Sequence, residues 1–205
     1  MKHHYTEEEM KRMMTFKTKV VYDKITEEEE RVYWAKMIWN RLAMPKHRVI
    51  CWLAIQGRLK TTDRLCQMGV TTDAQCNLCC EHTESHQHLF FQCSYVKRVL
   101  KYVFEWLGFK SRQDQLMSIM MMLNGRSRKS RVQKQIHAAI IKACVYYVWW
   151  ARNEAQWNMV LWRLEKVYRI IRECTVMRIN SVLPRKISSK DIAWWENVKS
   201  KVYSV

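Results

Sequence analysis

A mainly α fold is predicted for this 205-residue chain, and three observations predict it. Apolar residues recur at spacings of three and four through most of the sequence, the period of a helix buried along one face. Only four Gly and two Pro interrupt the chain, so turn-formers are scarce and helices run long. One window breaks the pattern: residues 76–93 hold four cysteines and three histidines. The expected architecture is a helical domain with a small Cys/His knuckle loop, followed by a C-terminal helical region. With 48% hydrophobic residues and ten Trp, enough apolar surface is available to offset chain entropy, which excludes a disordered polyelectrolyte.

The elements follow in order. Residues 1–14 are polar and Met-rich and read as a flexible N-terminus. The acidic run Glu27–Glu30 suits a helix N-terminus, where the dipole favours negative charge. Tyr33, Trp34, Met37, Ile38, Trp39 and Leu42 then carry a helix over about 27–43, which Pro45 is expected to end. A second helix is expected over about 47–58, with Val49, Trp52 and Leu53 in register and Gly57 at its exit. A third, short one follows Thr61 and Thr62, whose hydroxyls are expected to cap it. From Ser94 to Leu107, Val96, Val99, Leu100, Val103 and Leu107 share one face.

Residues 124–131 are polar, Gly-containing and basic, the clearest break in the chain. Beyond it a long helix is predicted from Val132 to about Trp157, with helix potential continuing to about Asn180. Pro184 interrupts that potential, and Ser188 or Ser189 caps a last helix through Tyr203. These signals divide the chain into a terminus (1–14), a knuckle-bearing domain (15–110), a basic linker (111–131) and a C-terminal helical region (132–205). The apolar run 138–151 is too short for a membrane span and contains Lys142, so it reads as a buried helix.

The cysteines carry the chemistry. Cys76 and Cys79 are separated by two residues, eight more lead to His88, and four more to Cys93. Thiolate and imidazole donors at such gaps suit one tetrahedral zinc ion. Cys76, Cys79, His88 and Cys93 are therefore the candidate ligands, with His82, His86 and Cys80 as alternatives in the same loop. Four protein ligands leave no coordination position for water, so a structural and non-catalytic zinc is expected. Reduced thiols imply a nuclear or cytoplasmic location.

The formal net charge is +17, and the basic surplus lies on both sides of the cysteine cluster. A potential of that sign attracts polyanions, either nucleic acid or an anionic membrane surface. Candidate phosphate contacts are Lys46, Arg48, Arg58, Lys60 and Arg64 before the loop, and Arg126, Arg128, Lys129 and Arg131 in the linker. Phe90, Phe91 and Tyr95 are candidates for stacking on unpaired RNA or DNA bases, weighed against the commoner fate of packing on the loop. A rival expectation is a structural or protein-interaction scaffold, with a protein partner bound through the Trp-rich helices at 149–150 and 194–195. No small-molecule substrate is evident.

A more specific expectation comes from Trp34-Ala-Lys-Met-Ile-Trp39, Pro45-Lys46, Cys51-Trp52-Leu53-Ala54 and Gly57-Arg-Leu-Lys-Thr-Thr-Asp-Arg-Leu65, then Cys76-x-x-Cys79 and Glu84-Ser85-x-x-His88-Leu-Phe-Phe-x-Cys93. Over about residues 16–109 these resemble the zinc-binding domain near the C-terminus of plant LINE-type (non-LTR) retrotransposon reverse transcriptases. Residues 145–153 are similar to the helix that often follows that domain. The resemblance implies a zinc-binding, nucleic-acid-associated module with ligands at Cys76, Cys79, His88 and Cys93. Catalysis in such elements resides upstream, and this chain contains neither Tyr-x-Asp-Asp nor a clustered set of carboxylates.

Overall fold

The computed structural model describes residues 38–108, 129–184 and 186–201. All of them belong to one compact unit, Lys36–Val205; residues 1–35 lie outside the described residues. So do most of the predicted 27–43 helix, and Arg126 and Arg128 of the linker.

Six α-helices are described: α1 (Pro45–Ile55), α2 (Thr62–Gln67), α3 (Ser94–Leu107), α4 (Arg131–Asn158), α5 (Leu164–Val182) and α6 (Ser189–Ser200), with a π turn at His88–Gln92 before α3. Among the described residues there is no strand, and the one bridge pairs Gln75 with Thr83. The predicted α class is thus observed.

Pro45 starts a helix, where it was expected to end one. It stands in the first turn of α1 after an extended Met44. There its missing N–H is harmless, because no carbonyl would receive it, and its fixed φ suits the helix. The preceding chain has already left helical geometry at Trp39 and Asn40. His47, Cys51 and Ala54 form the buried face of α1, which packs on α4. The His47 ring lies 4.7 Å from Tyr146 and 5.5 Å from Tyr147.

Helix α4 is the axis of the unit. Fifteen of its 28 residues are buried, more than one face supplies, because α1, α3, α5 and α6 all pack against it. Its first turn is closed by Ser130, whose Oγ accepts the Gln133 N–H at 3.1 Å, so Arg131 of the expected linker is already helical. At the other end the helix stops at Asn158, one residue past the predicted Trp157, and the helix potential beyond it becomes a separate α5. Met159 adopts a left-handed φ of 55°, and Val160 N–H reaches back to the Glu154 carbonyl at 3.1 Å, a closure that usually employs Gly. No Gly or Pro lies between residues 125 and 184 to announce that reversal. It is compensated by packing: α5 returns to bury Val167, Tyr168 and Ile171 against α4 and α3.

Helix α3 has the predicted bounds and ends at Gly108, whose φ of 68° is the left-handed conformation Gly adopts freely. Its fully buried Trp106 donates to the Val198 carbonyl at 2.9 Å, tying α3 to α6. Helix α6 is capped by Ser188, which accepts the Asp191 N–H at 3.1 Å. Asp191 in turn accepts Ser130 Oγ–H at 2.7 Å and Gln133 Nε2–H at 3.0 Å, joining the starts of α6 and α4.

Candidate metal centre

A hairpin and a π turn bring the four predicted ligands together. Cys76 N–H bonds the His82 carbonyl at 2.9 Å, and Glu84 N–H bonds Ala74 at 2.8 Å, so the chain leaves and re-enters beside itself. Within the hairpin, Cys80 N–H closes on the Cys76 carbonyl at 2.8 Å, and Cys80 takes a left-handed φ of 56°. The short arc lets both Cys76 and Cys79 face one point. The return is made by the π turn, where Cys93 N–H bonds the His88 carbonyl at 2.8 Å. That wider loop accommodates five residues while keeping His88 and Cys93 adjacent.

The donor atoms of Cys76, Cys79, His88 and Cys93 all lie within 4.8 Å of one another. Cys76 Sγ and Cys93 Sγ are 3.9 Å apart, and Cys79 Sγ is 3.3 Å from His88 Nε2. A tetrahedral zinc with bonds of about 2.0–2.3 Å has ligand edges of about 3.5–3.8 Å, so the set fits zinc. The alternatives fall aside. Cys80 is exposed, His82 is exposed and stands edge-on to His88 at 5.6 Å, and His86 packs on Phe90 at 5.0 Å. Burial lowers the His86 pKa.

The hydrogen bond from Cys93 pulls the Cys76 pKa down to about 5, and the same bond, with burial, drives Cys93 upward. Burial also raises Cys79. One thiolate is thus favoured by its neighbours and the other two resist ionising beside it; a dication supplies the missing attraction. All eight cysteines are free thiols.

Residues 16–99 match the family described as zinc-binding in reverse transcriptase. No curated protein and no solved structure matches the chain. The matched segment contains all four ligands, and zinc is the cofactor that donor set, geometry and family together support.

Around this zinc-binding segment the other candidate residues are distributed unevenly. Lys46, Arg58, Lys60 and Arg131 are exposed. Lys46 sits over the Tyr146 ring at 4.8 Å and Arg58 over Trp52 at 5.9 Å. Arg48, Arg64 and Lys129 are half-buried; Lys129 Nζ lies 3.2 Å from His137 Nε2, and burial lowers its pKa. The stacking candidates need correction. Phe90 is 2% and Tyr95 8% exposed, and Tyr95 Oη–H donates to the Trp162 carbonyl at 2.7 Å. Both complete the packing around the π turn, and Phe91 is half-buried.

Glu84 and Arg152 escaped sequence reasoning. Glu84 Oε1 accepts Arg152 Nε–H at 2.8 Å and Thr62 N–H at 2.9 Å, with both charged side chains essentially inaccessible to solvent. Burial raises the Glu84 pKa, and Arg152 opposes that shift. Thr61 is the N-cap of α2 but makes no side-chain cap; the predicted hydroxyl cap is replaced by the Glu84 carboxylate on the next N–H. The available signal was Arg152 itself, which shares the buried helical register of Ile141, Val145, Val148 and Ala155. A charge on such a face requires a partner.

Proposed function

We propose that this chain is a zinc-stabilised nucleic-acid-binding module, for RNA or single-stranded DNA, of the kind carried by plant LINE-type (non-LTR) retrotransposon reverse transcriptases, and that it is not catalytic by itself. The observation that carries the reading is the conjunction of the zinc-binding family match with exposed cations at Lys46, Arg58 and Lys60 in that same segment. Zinc orders the loop, and the cations bind phosphates without base selectivity. Arg58 over Trp52 also offers a guanidinium–aromatic platform of the type on which bases stack. The non-catalytic reading follows from chemistry: four protein donors saturate a tetrahedral zinc and leave no site for an activated water.

The test is a salt titration of binding to single-stranded RNA and DNA, with wild type beside Arg58→Glu/Lys60→Glu. Log affinity is expected to fall linearly with log salt, and the double variant to flatten that slope by roughly 1.4. A salt-independent affinity overturns the reading.

A second reading, a protein-interaction scaffold, is favoured by a different observation. Trp157, Met159, Val160 and Leu161 are 56%, 86%, 37% and 55% exposed around the α4–α5 reversal, an apolar run of the kind found at interfaces. Among the described residues no helix is long and apolar enough to cross a membrane.

A further inference from the structure

Three contacts join the metal loop to the α4–α5 hairpin, which lies beyond the family match. On the first ligand turn, Asn77 Nδ2–H donates to Gln156 Oε1 of α4 at 2.7 Å. In mid-loop, Glu84 Oε1 accepts Arg152 Nε–H at 2.8 Å. At the exit, two residues after Cys93, Tyr95 Oη–H bonds the Trp162 carbonyl between α4 and α5. The middle contact differs in kind from the others, because Glu84 is 0% and Arg152 1% exposed. Burying two charges yields little net stability, whereas removing either partner leaves the other stranded. Arg152 is itself held by Asn153 Oδ1 at 3.0 Å and by the Trp149 ring, 5.1 Å from its guanidinium carbon. Glu84 meanwhile fixes the loop twice more: its carboxylate accepts Thr62 N–H, and its carbonyl accepts Asp63 N–H at 3.1 Å.

We propose that Arg152 is a positioning residue of the metal centre: acting through Glu84, α4 holds the loop in the conformation in which the four ligands converge. Zinc retention and docking of the α4–α5 hairpin are then one coupled equilibrium, and the coupling works in both directions. The zinc-binding segment therefore extends functionally past residue 99, into a helix that contributes no ligand. This inference rests on the metal centre and is independent of the nucleic-acid reading.

The experiment uses the full zinc-loaded chain. Wild type is compared with Arg152→Met, with E84Q/R152M, and with Val198→Ala, a core change in α6 that serves as a stability control. Two quantities are read: zinc transfer to excess chromogenic chelator, and the absorption spectrum after cobalt substitution. Arg152→Met is expected to release zinc about 10-fold faster or more, with altered thiolate-to-cobalt bands. E84Q/R152M, which strands no charge, should recover part of the wild-type rate, and Val198→Ala should keep both the rate and the spectrum. Wild-type rate and spectrum in Arg152→Met overturn the inference, as does equal acceleration by Val198→Ala. A wild-type protein that holds no zinc removes the metal centre together with the inference; a zinc-loaded wild type with an unaffected Arg152→Met removes the inference alone. Should Arg152→Met not fold, amide exchange on wild type decides: chelating zinc must raise exchange across residues 148–156 more than in α6, and unchanged protection there overturns the coupling.

Discussion

His47 and the cysteines illustrate how much a single side chain reveals before its neighbours are known. His47 is 2% exposed with no partner for Nε2, and its pKa is lowered to about 4, first by burial and then by Lys46 and Lys142. The unfolded chain, with His near 6.5, binds more protons between pH 6.5 and 4, so stability rises with pH across that window and is lost on acidification. His47→Phe is expected to remove on the order of 2–3 kcal/mol of that dependence. The measurement is the difference between variant and wild-type stability over pH 4–7, a subtraction that cancels the metal's own acid sensitivity; parallel curves contradict the assignment. The cysteines give a sharper contrast. Cys76→Ser should abolish stoichiometric zinc in elemental analysis, while Cys80→Ser, altering an exposed thiol outside the cluster, should retain it. Ligand identity at Cys76, Cys79 and Cys93 was readable because spacing encodes coordination. His88 was preferred over His82 and His86 by its four-residue gap to Cys93, and the π turn is the backbone feature that realises that gap.

Among the elements, α3 shows the clearest relation between pattern and structure: five apolar residues on one face and a Gly after the last turn give Ser94–Leu107 with a left-handed Gly108. Boundaries without such chemistry were harder to read. Pro45 is equally compatible with stopping one helix and starting another, and here the extended Met44 places it at a start. The α4–α5 break is less visible still, since Met159 occupies the position usually given to Gly. An 86% exposed side chain has little packing to lose. Met159→Gly is therefore expected to stabilise the protein by about 1 kcal/mol, read as a rise in thermal midpoint; a lowered midpoint contradicts the left-handed assignment.

In the unit as a whole, the zinc loop and the C-terminal helices share one core. Trp106 bonds the Val198 carbonyl, Arg172 Nη2–H bonds the Lys199 carbonyl at 2.7 Å, and α1 lies along α4. A fragment spanning 36–108 takes Arg152 from Glu84, the Tyr146 and Tyr147 rings from His47 and the Val198 carbonyl from Trp106 together. It is expected to lose cooperative thermal unfolding by circular dichroism, even with zinc present, and a fragment that unfolds as sharply as the full chain contradicts a shared core. The helical class, the α3 register and three of the metal ligands were legible in the residues alone, because periodicity, capping chemistry and ligand spacing are local and survive without neighbours. The reversal at Met159 and the Glu84–Arg152 pair were not, because each depends on groups distant in the chain whose approach is set by packing. Burial makes a charge need a partner, but which partner it meets is a property of the folded core.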